Sequence, residues 1–304
     1  MHAYVLETDR LTLRCPTVAD SSAAFVWCSD PEVNRFMQYS LYTRVEDVAA
    51  WLKTVEEGGL YDFALVRRED GLVMGTCGIY PGDAPEQPWS FGYNLRRDCW
   101  GQGYATEAAR AMIDFAFRTF GVREFVASHA VANPASGRVM AHCGLVPDHL
   151  GSYSRFDGSE TFPACFRRLT LDHHGQAHRY AFRPMTDALR PECLAWSEAP
   201  AALPQGSLAA MDESGSLSGW TAMTPGNGGI LLSFAMRPSL TGQGRGAQFV
   251  RACAALARER FGWDMPIFAQ VPAADRRTQH VLARVGFREA APEQPSFIRM
   301  ELAP

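Results

Sequence analysis

The segment CWGQGYATEA (Cys99–Ala108) places Gly-Gln-Gly directly before an alanine-rich stretch that is typical of a helix. The same tripeptide returns in TGQGRGA (Thr241–Ala247), again before a helical pattern. The first N–H groups of a helix have no internal partner, and the helix dipole is positive at that end. Because glycine lets an anion approach the backbone closely, each segment is predicted to be a phosphate-binding loop. Glycines before a helix are also ordinary turn residues, so this pattern alone leaves both interpretations open.

The glycine landmarks of the first half recur in the second half at a nearly constant offset. Each loop glycine and each predicted helix stop has a counterpart: Gly103 with Gly244, Gly121 with Gly262, and Gly144 with Gly286. An internal duplication explains this register. The chain has 304 residues, which is long for one domain. We therefore predict two domains, at residues 1–172 and 179–304, joined by a linker at 173–178.

Both halves are predicted to have a mixed α/β (α+β) fold. Strand-like alternation precedes the first glycine loop, and a helix follows that loop as far as Gly121. Asn133 and Pro134 then have the order of an N-cap and a first helical residue. The strand-like segments of the first half read RLTLR, YDFALV, LVMGTCGIY, WSFGYNL and EFVASHAV. Those of the second half read YAFRP, SLAAMD, LSGWTAM, ILLSFAM, PIFAQV and SFIRMEL.

Composition argues against several classes of protein. The formal net charge of −4 disfavours nucleic-acid binding, and no apolar run is long enough to predict a membrane span. Eight scattered cysteines without a C-x-x-C pair predict reduced thiols in a cytoplasmic protein. His173, His174 and His178 could bind a metal, but no cysteine or carboxylate set of matching ligand spacing accompanies them. We therefore predict a solvated linker there and no metal site.

Two other known types of phosphate-binding loop are disfavoured, because this sequence lacks residues that they require. A Walker loop ends in lysine and Ser/Thr, whereas the only lysine of this chain, Lys53, lies elsewhere. Gly242–Ala247 fits the G-x-G-x-x-A pattern of a dinucleotide-binding fold, but that fold also needs an acidic residue after the next strand. Asp264 lies before that strand. A nucleotide-binding oxidoreductase is therefore disfavoured.

Both loops resemble the acyl-CoA loop of the GNAT superfamily of N-acetyltransferases, commonly (Arg/Gln)-x-x-Gly-x-(Gly/Ala). The first half matches at 100–105, extended by Thr-Glu-Ala at 106–108. With ETDRLTLR at its start and Asn133-x-x-Ser136 followed by CGL, it is similar to the ribosomal-protein N-terminal (alanine/serine) acetyltransferase branch. The second half matches at 237–246, with RVGF near the end, and resembles a more general GNAT domain.

The resemblance implies a mixed, mostly antiparallel sheet in each domain, flanked by helices, with two strands splayed to form an acyl-CoA cleft. The strands that end at Leu95 and Met236 would pair with the pantetheine arm of acetyl-CoA or another acyl-CoA. Backbone amides of both loops would bind its pyrophosphate. In the first domain these residues are Gly101, Gln102, Gly103, Tyr104, Ala105 and Thr106. In the second domain they are Gly242, Gln243, Gly244, Arg245 and Gly246.

The resemblance also implies direct attack of a neutral amine on the thioester. A backbone N–H near Leu95 would stabilise the oxyanion, and an acid would protonate the leaving thiolate. The tyrosine that many relatives place seven residues after the asparagine is replaced by Met140 and Leu282. Ser136, with Asn133, is therefore the catalytic candidate. A plain helix cap at Asn133 and an ordinary first-turn residue at Ser136 are the structural alternatives.

The general base stays open at this stage. Many GNAT enzymes place a carboxylate two residues before the Gly-Tyr of the fourth strand, and here that position is Ser90. His129, Glu86 and Asp83 are unranked substitutes for it. His129 also alternates with apolar residues, as a simple strand histidine would.

These features predict a tandem N-acyltransferase that uses acetyl-CoA on a small-molecule or peptide amine. Turnover is predicted for the first domain, since Asp275 and Thr278 replace the asparagine and serine in the second, whose front is also shortened. A pair of degenerate domains that bind acyl-CoA as a sensor or scaffold is the alternative. The amine, the acyl group and the oligomeric state stay open.

Overall fold

The computed structural model describes residues 4–58, 61–84, 87–196, 202–226, 228–290 and 296–304. The chain forms two compact units. Unit 1 comprises Met1–Leu145 and Leu150–Leu169, and unit 2 comprises Val146–His149 and Thr170–Pro304. The domain boundary at residue 172 and the linker at 173–178 stay predictions, because the short segment Val146–His149 groups with the second unit.

Unit 1 is built on an eight-stranded sheet with the order β1-β2-β3-β4-β5-β6-β8-β7. Neighbours from β1 to β5 pair antiparallel, whereas β5 and β6 pair parallel. The strands are β1 (Leu6–Glu7), β2 (Leu11–Arg14), β3 (Tyr61–Arg67), β4 (Val73–Tyr80), β5 (Trp89–Leu95), β6 (Glu124–Ala130), β7 (Val146–Ser154) and β8 (Thr161–Thr170). The helices are α1 (Ser21–Cys28), α2 (Pro31–Asn34), α3 (Val45–Gly58), α4 (Tyr104–Phe120) and α5 (Pro134–His142).

Helix α4 follows the first glycine loop and packs an apolar stripe on the sheet. Met112 and Ala116 are fully buried, and the ring of Phe115 lies 5.8 Å from that of Phe63 on β3. Helices α1 and α3 form a separate cluster in which Trp27 and Leu52 are fully buried. Burying such large side chains stabilises each layer by roughly 1.5–3 kcal/mol per residue.

The predicted ends of two helices are confirmed. Gly121 ends α4 in the left-handed region at φ 72°, where only glycine is unstrained. Asn133 caps α5, because its side chain accepts the Ser136 N–H at 3.2 Å, and Pro134 is the first helical residue.

Unit 2 repeats the order of elements around a seven-stranded sheet, β14-β15-β13-β12-β11-β10-β9. Its one parallel pair among the described strands is β12 with β13. The strands are β9 (Ala181–Pro184), β10 (Leu208–Met211), β11 (Leu217–Gly226), β12 (Gly229–Met236), β13 (Ile267–Pro272), β14 (Arg288–Glu289) and β15 (Phe297–Leu302). The helices are α6 (Arg190–Leu194), α7 (Gly246–Phe261) and α8 (Arg276–Val285). Both glycine loops therefore connect a strand to the start of a long helix, as the duplication predicts.

All eight cysteines are free thiols and buried. None of the helices that the structure describes is long and apolar enough to cross a membrane. Within the same residues, no group of three or more His, Cys, Asp or Glu side chains is arranged to hold a metal ion.

The segment predicted to be a solvated linker is anchored at its start by Asp172. That carboxylate is 1% exposed. It accepts hydrogen bonds from the amides of His174 at 2.8 Å and Gln176 at 2.9 Å, and it lies 2.8 Å from His178 Nε2. Burial opposes its ionisation, but the contacts with His178 and the two amides lower the pKa of Asp172. The exposed side chains of His173 and His174 are the solvated part of this segment.

We expect Asp172→Ala to lower the free energy of unfolding of unit 2. The change removes the shared acceptor of two part-buried amides and of His178, which costs about 1–3 kcal/mol. Urea unfolding measures this loss, with His174→Ala as the control, since that side chain is exposed. Because the pKa of Asp172 is lowered, its contribution should be present above about pH 3.9 and fade as the pH falls further. Equal stability of the two variants would contradict the anchoring role.

Candidate active site

The first glycine loop turns sharply from strand β5 into helix α4. Gly101 and Gly103 have φ angles of 74° and 83°, which residues other than glycine rarely adopt. Trp100 donates its indole N–H to the carbonyl of Leu95 at 2.8 Å and so fixes the start of the loop on the strand end. The backbone therefore reaches the helix in a conformation that the two glycines make possible.

The amides of this loop point to no acceptor within the protein. The first helical bond of α4 runs from the Glu107 N–H to the Gly103 carbonyl at 3.1 Å. In the part of the chain that the structure describes, the amides of residues 101–106 form no hydrogen bond. Unpaired amides at a positive helix terminus favour an anion. The predicted pyrophosphate site at Gly101, Gln102, Gly103, Tyr104, Ala105 and Thr106 has this property.

An ionic network that the sequence analysis missed braces the loop. Arg10 donates from Nη1 to the Gln102 carbonyl at 2.9 Å and from Nε to Glu107 Oε2 at 2.7 Å. Its guanidinium also lies 4.4 Å from the centre of the Tyr104 ring. Thr8 donates to the other oxygen of Glu107 at 2.6 Å. Thr8 and Arg10 both lie in the ETDRLTLR stretch on which the family resemblance was based. The sequence did not reveal that their partners are Glu107 and the Gln102 carbonyl.

The glutamine of each Gly-Gln-Gly folds back on the turn before the loop. Gln102 Nε2 donates to the Asp98 carbonyl at 3.2 Å, and Gln243 Nε2 donates to the Ser239 carbonyl at 2.8 Å. Each bond closes a short turn that precedes the glycines. The repeated glutamine thus has a structural role in both units.

Strands β5 and β6 separate soon after their pairing begins. Their parallel pairing joins Trp89 to Phe125 and Ser90 to Val126, and it ends there, although β5 continues to Leu95. The opposite edge of β5 stays paired with β4 from Ser90 to Leu95. The edge that faces β6 is therefore open from about residue 91 onward, which leaves backbone groups for an extended ligand.

A pair of hydroxyl groups lies beside this opening. The Tyr93 hydroxyl, on β5, lies 2.9 Å from Ser136 Oγ and 3.2 Å from the Ser136 carbonyl. Burial raises the pKa of Tyr93 well above its ordinary value, so the phenol stays protonated at neutral pH. The structure thus brings the predicted Ser136 to a tyrosine that the sequence analysis did not select. Met140, the helix position that it tested for a tyrosine, is buried in the core.

The candidates for a general base are not arranged for that role. His129 Nδ1 lies 2.9 Å from the Ala130 carbonyl, and Arg167 donates to His129 Nε2 at 3.4 Å. Burial lowers the pKa of His129, so the ring is neutral and its lone pair is engaged by Arg167. Asp83 is exposed, and Glu86 lies outside the described residues.

The wall opposite helix α4 is ordered by buried polar contacts. Asn94 Nδ2 donates to the Tyr39 hydroxyl at 2.9 Å, while Asn94 Oδ1 accepts from the amide and the hydroxyl of Thr76. Arg155 donates to the carbonyls of Met37 at 2.9 Å and Tyr39 at 3.1 Å. These bonds hold the segment between α2 and α3 against the sheet.

Unit 2 repeats the loop but not the hydroxyl pair. Gly242 and Gly244 have φ angles of 79° and 85°, and the pairing of β12 with β13 ends after Leu231 and Phe268. Asp275 caps α8 by accepting the Thr278 N–H at 3.0 Å. At the position that corresponds to Tyr93, two residues before the strand end at Met236, unit 2 has phenylalanine. The predicted loop of Gly242, Gln243, Gly244, Arg245 and Gly246 is therefore present without a paired hydroxyl.

Comparison with protein families assigns each half of the chain. The model of the acetyltransferase (GNAT) domain matches residues 10–146. The model of the acetyltransferase (GNAT) family matches residues 170–287. The two matches fall on the two repeated halves, each with its own glycine loop.

Individual relatives resemble one half of the chain. An uncharacterized N-acetyltransferase, p20 from Bacillus licheniformis, is 30% identical over 139 residues, which are 44% of this chain and 78% of that protein. The FsC-acetyl coenzyme A-N(2)-transacetylase of Aspergillus fumigatus is 32% identical over 126 residues, 38% of this chain and 54% of its own. A GNAT-family acetyltransferase structure from Bacillus anthracis superposes with a TM-score of 0.50 at 19% identity, covering 55% of this chain and 98% of that chain.

We expect Gly103→Val to weaken acetyl-CoA binding to unit 1 by about tenfold or more, because the side chain crowds the anion and strains a left-handed residue. Calorimetry measures the affinity. Gly121→Val is the matched control, since it places the same strain at φ 72° at the other end of α4. Equal affinities of the two variants would place the phosphates elsewhere.

Proposed function

We propose that this chain, which belongs to the GNAT acetyltransferase family and carries two of its domains in tandem, transfers the acetyl group of acetyl-CoA to a primary amine in unit 1. The observation that carries this proposal is the Tyr93–Ser136 hydroxyl pair beside the separation of β5 from β6. The amine is a small molecule or a peptide N-terminus.

The cosubstrate would bind through backbone groups of two elements. Its pyrophosphate would accept hydrogen bonds from the unpaired amides of residues 101–106, at the positive end of α4. Its pantetheine arm would lie along the open edge of β5 toward Leu95, as an added strand does. Neither contact needs a charged side chain, which fits the absence of lysine from this loop.

The transfer then proceeds by direct attack. The amine nitrogen adds to the thioester carbonyl, a C–N bond forms, and a backbone N–H of β5 stabilises the oxyanion. The C–S bond breaks as the intermediate collapses, and the thiolate gains a proton while the nitrogen loses one. Ser136, oriented by Tyr93, donates its hydroxyl hydrogen to the leaving sulfur and recovers a hydrogen from water, which takes up the proton that the nitrogen loses.

A second role, acyl-CoA binding without turnover, fits unit 2. Its loop glycines and separated strands match those of unit 1, but Phe234 has no hydroxyl to orient Thr278. Thiol release from acetyl-CoA across an amine panel separates an enzyme from a sensor.

We expect Ser136→Ala to lower kcat by roughly 100- to 10,000-fold, the usual range for acid–base assistance. The KM for acetyl-CoA should change little, because the hydroxyl acts on the leaving group rather than on the phosphates. Steady-state kinetics with one accepted amine measures both constants.

Thr278→Ala is the matched control, since it removes the hydroxyl at the corresponding position of unit 2. It should leave kcat unchanged. Loss of turnover in Thr278→Ala but not in Ser136→Ala would mean that unit 2 holds the active site.

A further inference from the structure

Three residues on neighbouring strands of unit 1 lie in one row across the sheet. Asp62 on β3 is opposite Gly78 on β4, and Gly78 is opposite Gly92 on β5. Partners that lie directly opposite each other project to the same face. Since Asn94 also projects to this face, the row belongs to the wall that the Tyr39 segment covers.

The Asp62 carboxylate is held above the first of the two glycines. Asp62 Oδ1 accepts the Tyr80 hydroxyl hydrogen at 2.6 Å. Burial, and next the Asp62 carboxylate, raise the pKa of Tyr80, so the phenol stays protonated and donates. A Cβ on Gly78 would overlap the Tyr80 hydroxyl and lie 2.5 Å from Asp62 Oδ1. The missing side chain at Gly78 therefore makes room for this pair.

The second glycine leaves open space at the next strand. Among the residues that the structure describes, and apart from the two chain neighbours of Gly92, no atom lies within 4 Å of the position that a Cβ on Gly92 would take. Gly92 lies one strand away from Gly78, at about 4.8 Å. Since the oxygens of Asp62 and Tyr80 are held over Gly78, the space over Gly92 is within reach of this pair. Gly92 also lies two residues after Ser90, where the pairing of β5 with β6 ends. The space is thus at the mouth of the cleft in which the thioester is proposed to lie.

Within the described residues, the side chains that flank Gly92 along this face of β5 carry no charge. Ser90 and Asn94 flank Gly92 on the same face of β5. Asn94 is bonded to Thr76 and to Tyr39, and burial raises the pKa of Tyr39, so that phenol stays neutral. An acceptor in this space would therefore meet hydroxyl and amide groups and one neighbouring carboxylate.

We propose that Asp62, held by Tyr80, binds the acceptor amine as its ammonium ion in the space over Gly92. This proposal rests on the proposed function and names the substrate class as alkylamines that are protonated at neutral pH. The bound ammonium releases one proton to water, the resulting amine attacks the thioester, and coenzyme A leaves as the thiol. Uncharged arylamines would gain nothing from the carboxylate.

The test compares benzylamine, which is protonated at pH 7, with aniline, which is not. In Asp62→Asn, kcat/KM for benzylamine should fall about 10- to 100-fold, as expected for loss of a charge-assisted hydrogen bond. The value for aniline and the KM for acetyl-CoA should stay within about twofold. Asp70→Asn is the matched control, because it removes the same charge from the exposed turn between β3 and β4.

A binding measurement separates this inference from the proposed function. Calorimetric titration of benzylamine into the complex of the full chain with coenzyme A should show binding in the wild type and in Asp70→Asn. Binding should be lost in Asp62→Asn and in Gly92→Val, which fills the space. This pattern without thiol release would refute transfer and leave the ammonium site standing. Undiminished binding to Asp62→Asn, no binding to the wild type, or an equal loss for aniline would overturn the inference.

Discussion

The early separation of β5 from β6 is the constraint on which the rest of unit 1 depends. A parallel pair normally satisfies the backbone groups on its shared edge, but here pairing covers only Trp89–Phe125 and Ser90–Val126. The open edge beyond has backbone groups that no neighbouring strand satisfies, so they are available to solvent or to a ligand. The loop that continues from this strand carries the unpaired amides. The separation of the two strands thus places an open strand edge, which would fit the pantetheine arm, next to the start of α4, which would fit the pyrophosphate.

The side chains around the cleft divide the chemistry between the two faces of the sheet. Tyr93 projects toward helix α5, where it meets Ser136, and Asn94 projects to the face that Tyr39 covers. Adjacent residues on a strand point to opposite faces, so in the proposed mechanism a single short segment would serve the leaving group on one side and the acceptor on the other. Asp62 and Tyr80 lie on the acceptor face.

The two units share the loop proposed to bind phosphate but differ in the side chains proposed to react. Both units have positive-φ glycines, a folded-back glutamine and a separated parallel pair. The hydroxyl pair differs between the units, with Phe234 where unit 1 has Tyr93 and Thr278 where unit 1 has Ser136. A duplication can therefore keep the anion-binding backbone, which depends on a few glycines, while the reacting side chains change.

The sequence by itself determined the features that depend on local backbone chemistry. It identified the two loops, the cap at Asn133, the stop at Gly121, the duplication and the mixed fold, because glycine, asparagine and proline act within a few residues of their own position. It also selected Ser136. The pairs Tyr93–Ser136, Asp62–Tyr80 and Arg10–Glu107 join residues that are far apart along the chain, as does the engagement of His129 by Arg167. Only the tertiary structure decided these pairs, because strand register and helix packing set which side chains meet, and neither is encoded within one short segment.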